Sequence, residues 1–224
     1  MSLSIIIPTL NEAAALPGTL DRLETEGILK RAEVLVADGG STDSTAELAM
    51  ARGIRVVIGD RSQRANQLNR GVAASTGSLL LFLHADTLVT SENVDRLLAA
   101  FASHPEPQGG GFFRRFDRKH WFLAITGWMA DRRSREKGLF IGDQAMFCRR
   151  SAFDALGGFD ETMDVGEDFD FSVRLRERGP VIALGPTIVS SARRFERRGV
   201  IRQTMADRRW CKAYLAEKGC EAAR

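Results

Sequence analysis

Carboxylates, an imidazole and arginines recur just after short apolar runs in this 224-residue chain, and such side chains bind phosphate, sugar hydroxyls and metal ions. Pro8, Thr9, Asn11 and Glu12 follow the run at 3–7, and Asp38 follows the run at 33–37. Arg61 and Arg64 come after 54–58, while His84, Ala85 and Asp86 come after 79–83. Asn, Glu and Asp can hydrogen-bond a base or a ribose, and guanidinium groups pair with phosphate oxygens. Asp86 with a divalent cation could bridge the two phosphates of a nucleoside diphosphate. Each residue also has an ordinary use: Asn11 in a turn, Asp38 or Asp86 as a helix cap, the arginines as solvated surface. Their coincidence at four successive strand ends favours ligand binding, because open α/β sheets collect ligands at the carboxyl ends of their strands.

The elements beneath these residues follow from periodicity. Residues 3–7 are β-branched and stop at Pro8, and 12–26 carry Leu16, Leu20 and Leu23 at the spacing of a helical face. A second strand at 33–37 leads into a glycine turn, after which Thr42 or Asp43 can cap a helix through Met50. A third strand at 54–58 and a polar helix at 63–75 precede the run at 79–83, which is too short for a core helix. Strands alternating with helices at this pitch predict right-handed crossovers and a parallel sheet covered on both faces.

The rhythm changes after Asp86. Ser91 or Glu92 starts a helix carrying Val94, Leu97, Leu98 and Phe101, and Pro105 and Pro107 end it. Gly109, Gly110 and Gly111 lead into FFRRF, and 119–137 read as an amphipathic helix with Trp121, Phe122, Ile125 and Trp128 on one side. Strands are expected at 145–148 and 181–184, and helices at 151–156 and 169–178. A basic amphipathic helix is expected at 199–218, after a cluster of Arg193, Arg194, Arg197 and Arg198. That cluster could be solvated surface, a flap over a diphosphate, a seat for an acidic acceptor, or a contact with anionic lipid.

Composition narrows the class. With 44% hydrophobic residues the chain can bury a real core, and no linker-like stretch divides it, so one domain is expected, with parts at 1–90, 91–190 and 191–224. A net charge of +3 and a pI near 9.0 suit small anions and do not imply nucleic acid. Cys148, Cys211 and Cys220 are odd in number and lack CxxC spacing, which argues against a zinc site or disulfide framework and fits a cytoplasmic setting. The first residues read as a strand, not a signal peptide, and no run approaches the roughly 20 apolar residues of a membrane helix.

Four stretches, SIIIPTLNE, VLVADGGSTDST, QLNRGVAASTGSLLLFLHAD and GGFDETMDVGEDFDFSVRLRERG, together resemble glycosyltransferase family 2, whose members are inverting nucleotide-sugar transferases. The resemblance implies a GT-A fold: a Rossmann-like, mostly parallel sheet flanked by helices, a smaller acceptor-side part and, here, a basic C-terminal helix. Two family motifs are altered, DxD standing as His84-Ala85-Asp86 and Asp-Asp-Gly-Ser as Asp38-Gly39-Gly40-Ser41. With SARRFERRG near the end, the combination is similar to a small bacterial subgroup found near radical-enzyme genes and linked to arsenosugar synthesis.

By that resemblance Thr9, Glu12 and Asp38 contact the nucleoside, Asp38 reading a base edge such as the imide of uracil. The full donor-binding set is Pro8, Thr9, Asn11, Glu12, Asp38, Arg61, Arg64, Asn69 and Ala85. Asp86 takes a divalent metal, Mn2+ or Mg2+. His84 either joins it, tilting the preference toward manganese, or leaves Asp86 as the sole protein ligand. In Gly166-Glu167-Asp168, two carboxylates at a helix start could serve only the helix dipole. The resemblance instead assigns Asp168 as general base and Glu167 as its orienting partner, with Asp160 and Asp170 structural and Asp143 and Gln144 on an acceptor-side loop. The activity expected is metal-assisted inverting transfer from a nucleotide sugar, a UDP-sugar first, to a small-molecule or lipid-linked hydroxyl, with peripheral contact at the inner membrane face. The competing expectations are a catalytically weak nucleotide-sugar-binding module and a sugar nucleotidyltransferase.

Overall fold

A computed structural model describes residues 1–59 and 61–219; Cys220 lies outside the described residues. The first part alternates strand and helix: β1 (Leu3–Thr9), α1 (Leu16–Thr25), β2 (Glu33–Asp38), α2 (Thr45–Met50), β3 (Arg55–Ile58), α3 (Arg64–Ala73) and β4 (Leu79–Phe82). The second part carries β5 (Thr87–Leu88), α4 (Ser91–Ser103), β6 (Gly109–Phe116), α5 (Trp121–Lys137), β7 (Phe147–Arg149) and α6 (Arg150–Ala155). It ends with α7 (Glu167–Arg178), β8 (Val181–Ser190), α8 (Arg193–Arg198) and α9 (Val200–Glu217).

Among the described residues, eight strands join one sheet in the order β3-β2-β1-β4-β7-β6-β8-β5. β1 pairs in parallel with β2 and β4, and β2 with β3, so Thr9, Asp38, Ile58 and His84 come out on one rim. β7 runs antiparallel to both β4 and β6, β6 and β8 are parallel, and β5 is antiparallel to β8. The fold is therefore the mixed, mostly parallel α/β sheet flanked by helices that the resemblance implies.

Side chains alternate across β1. Ile5 and Ile7 pack with Leu16, Leu20, Leu23 and Val36 on one face, while Ile6 packs with Leu68, Val72, Leu80 and Phe82 on the other. Helix α1 begins later than the apolar spacing predicts, because Glu12 O accepts from the N–H groups of Ala15 and Leu16 in a turn and Pro17 takes the first helical turn, where no N–H is needed. Helix α7 begins earlier, at Glu167, so both carboxylates of Gly166-Glu167-Asp168 lie in its first turn.

β6 begins on glycine, and β8 runs past its expected end at Leu184, each for an identifiable reason. β6 starts at Gly109, since a side chain at Gly110 would place Cβ 1.8 Å from Ile182 O on β8. β8 continues through Pro186 to Ser190, with a register shift in the pairing between Phe112 and Arg114, where the proline's missing N–H breaks no ladder bond.

Candidate active site

The loop after β4 is built to present its carboxylate. Thr87 N–H donates to His84 O (3.1 Å), Thr19 Oγ1 donates to Ala85 O (2.7 Å), and Ser191 N–H donates to Asp86 O (3.2 Å). These bonds fix the backbone and leave the Asp86 side chain, 15% exposed, facing a cleft of about 310 Å³. Pro8, Thr9, Glu12, Arg64, His84, Ala85 and Asp86 line it together with Asp143 and Asp168. Residues expected to bind the donor and the carboxylate expected to act as base thus share one cavity. A broader depression of about 710 Å³, between the end of α5 and the start of β8, contains none of the strand-end carboxylates.

Asp168 reaches the cleft from α7. Its Oδ2 accepts a hydrogen bond from Gly142 N–H (2.6 Å) and its Oδ1 one from Phe169 N–H (2.7 Å). Gly142 is also the point where the two halves meet: a Cβ there would lie 2.8 Å from Asp168 Oδ2 and 2.8 Å from His84 Nε2. Gly142→Ala should therefore displace the carboxylate and the imidazole while sparing the donor-side loops. The expected result is a kcat lower by about ten- to a hundredfold with little change in donor affinity; steady-state kinetics beside nucleotide titration would check it, and an unchanged kcat would contradict the placement.

Electrostatics in the cleft are dominated by arginines. Burial, followed by the nearby Arg64, Arg194 and Arg193, lowers the His84 pKa from 6.5 to about 3, so the imidazole is neutral near pH 7. The folded chain keeps it neutral where the unfolded chain would protonate it, so stability is lost as pH falls from 6.5 toward about 3. His84→Gln should flatten that loss by about 1–3 kcal/mol, less than the full ~1.4 kcal/mol per unit because the ring is partly solvated. Urea unfolding at several pH values would measure the difference, and parallel curves for the two proteins would refute it.

Burial raises the Asp86 pKa, opposed by the charge of Arg193 and reinforced by that of Glu12. Arg193 bridges those two carboxylates: its Nε lies 2.6 Å from Asp86 Oδ2, and it donates to both oxygens of Glu12, one at 2.6 Å. Glu167 is buried beneath the cleft, 3.2 Å from a terminal nitrogen of Arg64. Burial and the neighbouring Asp168 charge raise its pKa, against the pull of Arg64.

Several of the residues singled out in the sequence make internal bonds in the structure. Asp38 accepts from Thr9 Oγ1 (2.8 Å), Gly40 N–H (3.0 Å), Ser41 N–H (2.7 Å) and Ser41 Oγ (2.6 Å), behind the cleft wall. Asn11, in the left-handed region at φ 54°, joins the β1 and β2 loops, donating its N–H to Ser41 Oγ and accepting from Thr42 N–H. Asn69 exchanges hydrogen bonds with the main chain of Phe159 and bonds Glu161, while Arg61 lies exposed 3.8 Å from Glu161. Gln144 is buried, bonded to Arg133, Phe112 O and Ser134. Asp170 is buried too, receiving the Tyr214 hydroxyl and paired with Arg174, and Asp160 caps Thr162. Sequence reasoning passed over Gln67, whose amide donates to Thr9 O from the cleft wall; a glutamine on a buried face of α3 was the available signal.

Among the described residues no group of three His, Cys, Asp or Glu side chains encloses a metal position. The donor set still fits a divalent cation of the kind that binds through one or two protein ligands and substrate phosphates, since Asp86 and the neutral His84 line the same cleft. Arg193 already places positive charge between Asp86 and Glu12.

Comparison with known proteins agrees with this architecture. Residues 4–157 match the family described as Glycosyl transferase family 2. A PGL/p-HBAD biosynthesis glycosyltransferase of Mycobacterium bovis is 35% identical over 182 residues, covering 76% of this chain and 68% of that protein. The structure of TarS from S. aureus in complex with UDP-GlcNAc superposes with a TM-score of 0.66 at 17% identity, over 85% of this chain and 58% of that one. The mannosyltransferase PcManGT from Pyrobaculum calidifontis, in complex with GDP-Man and Mn2+, gives a TM-score of 0.66 at 22% identity over 84% of this chain and 56% of that one. The chain thus spans just over half the length of these two structures. With the family matched over more than half its length and the mixed sheet of that fold, this chain belongs to glycosyltransferase family 2 and is a glycosyltransferase.

Proposed function

We propose that the chain transfers a sugar from a nucleoside-diphosphate donor, UDP-sugars first among them, to a hydroxyl acceptor with inversion at the anomeric carbon. The acceptor oxygen attacks that carbon, the bond to the diphosphate oxygen breaks on the opposite face, and Asp168 takes up the hydroxyl proton. The observation that carries this reading is the shared cleft: Asp86 comes from the donor-side rim, Asp168 from the first turn of α7, and Gly142 brings His84 and Asp168 face to face.

Gly142 N–H holds the Asp168 carboxylate, and Glu167 steadies this end of α7 through Arg64, which also lines the cleft for the diphosphate. Asp38 shapes the base end indirectly, by holding the turn through Ser41 against Thr9. Asp86, with or without His84, would hold a divalent cation, Mn2+ or Mg2+, which supplies stabilisation of the charge developing on the leaving diphosphate. Arg193 and Arg194, both lining the cleft, are placed to pair with the same phosphates.

The acceptor is a small-molecule or lipid-linked hydroxyl. Likeness to the arsenosugar-linked subgroup supports including such small acceptors in a screen. The free thiols of Cys148 and Cys211 support a reducing, cytoplasmic setting. A thermal-shift panel of nucleoside diphosphates with and without Mn2+ tests the donor half, because a ligand that binds only the folded state raises its melting point by mass action. No shift with any nucleotide would refute this reading.

A further inference from the structure

The outward faces of α5 and α9 leave large apolar side chains in water. On α5, Trp121, Ile125 and Trp128 recur at helical spacing and are 67%, 41% and 62% exposed; on α9, Ile201 and Met205 are 49% and 55% exposed. The two helices lie side by side. Thr126 Oγ1 is 3.2 Å from Thr204 Oγ1, and further along both helices Arg208 is 4.0 Å from Met129 Sδ. The contacting positions are Thr126 and Met129 on α5 and Thr204 and Arg208 on α9; at about 100° per residue the exposed apolar positions of both helices fall to the same side of that contact, so they border one surface. The indoles are held in place, Trp121 stacked on His120 at 6.1 Å and Trp128 under the Arg132 guanidinium at 5.9 Å. An apolar surface of this kind, spread over two helices, marks an interaction site.

The charge around it selects the partner. From 197 to 218 the chain carries seven Lys and Arg against two acids, Asp207 and Glu217, and Asp207 is paired with Arg194. A second copy docking face to face would set this basic rim against itself, which disfavours a symmetric dimer. Tryptophans between basic residues instead match a bilayer interface, where indoles settle at headgroup level and cations meet anionic lipid.

We propose that the α5–α9 face docks on an anionic membrane surface and presents a membrane-borne acceptor to the cleft. The second clause rests on the glycosyltransferase reading above. Its structural support is that the inner side of α9 packs on α7: Trp210 contacts the Phe169 ring at 6.1 Å, one residue beyond Asp168, and the Tyr214 hydroxyl bonds Asp170. The element that meets lipid is also the one that covers the helix bearing the base.

The test is co-sedimentation of the full chain with vesicles of phosphatidylcholine alone and of phosphatidylcholine mixed with phosphatidylglycerol. The chain should bind the anionic vesicles and leave them at high salt, and Trp121→Ala/Trp128→Ala should weaken partitioning by at least about tenfold. The thermal shift given by nucleoside diphosphates should be the same in both proteins, showing that fold and donor cleft are intact. Equal partitioning of parent and variant, no binding to anionic vesicles, or a parent dimer that the variant abolishes would each overturn the proposal. Vesicle binding by a chain that no nucleotide stabilises would keep the docking face and sink the donor reading.

Discussion

Asp168→Asn should abolish measurable transfer while leaving donor binding intact. An asparagine oxygen can still accept the Gly142 N–H bond that Asp168 Oδ2 receives at 2.6 Å, so the loop keeps its position, while the bond that Oδ1 receives from Phe169 N–H is given up. What disappears is a group able to take the acceptor proton as the new bond forms. General-base catalysis of this kind contributes about 10²–10⁴-fold, or roughly 3–5 kcal/mol of barrier. The comparison to make is single-turnover transfer beside nucleotide-induced thermal shift in the same protein. Turnover equal to the parent's would remove Asp168 from the mechanism, whereas loss of both activities would mean that the substitution had damaged the fold.

Asp86→Ala should act on the other half of the reaction. The carboxylate is mostly buried, and its removal leaves Arg193 paired with Glu12 alone, so the cleft gains net positive charge but loses its best oxygen ligand for a divalent ion. Donor affinity measured with Mn2+ should fall by about a hundredfold, corresponding to some 3 kcal/mol. The extra melting-point rise that Mn2+ gives a nucleoside diphosphate in the parent should vanish in the variant. If parent and variant respond alike to the ion, the cation is not held at Asp86.

Much of the donor-side architecture was legible because local and global signals agree there. Runs such as Ile5, Ile6 and Ile7 alternate across a sheet covered on both faces, and the polar groups that follow them can only emerge at its rim. His84 and Asp86 were assigned to the end of β4 on that basis, and both line the cleft. The individual role of a residue was harder to read, since the same side chain that can grip a ligand can also close a turn. Asp38, Asn11 and Asn69 are of the right type and near the right edge, yet their bonds run to Ser41, Thr42 and Phe159.

Long-range pairing was the least visible. Arg193 reads as one of a run of arginines, and nothing local announces that it bridges Glu12, 181 residues away in sequence, to Asp86. Strand propensity penalises both the glycines that begin β6 and the proline within β8, and the strand expected at 181–184 stops short of that proline. In the fold, close packing against Ile182 demands the first, and a register shift tolerates the second.

The antiparallel strand β7 has a mechanical consequence. Leu79–Arg149 and Leu81–Phe147 pairing, continued by Gly109–Cys148, zips the parallel strands β1 to β4 to β6 and β8 with main-chain hydrogen bonds. A cleft framed by a continuous ladder has no hinge through its floor, so the span between Asp86 and Asp168 is set when the chain folds. If the cleft works as proposed, admission of substrates and release of products are left to the segment after β8, whose Arg193 lines it. Amide exchange should therefore be slowest in β4 and β7 and should change on nucleotide binding chiefly in the residues that lead from Ser190 into α9.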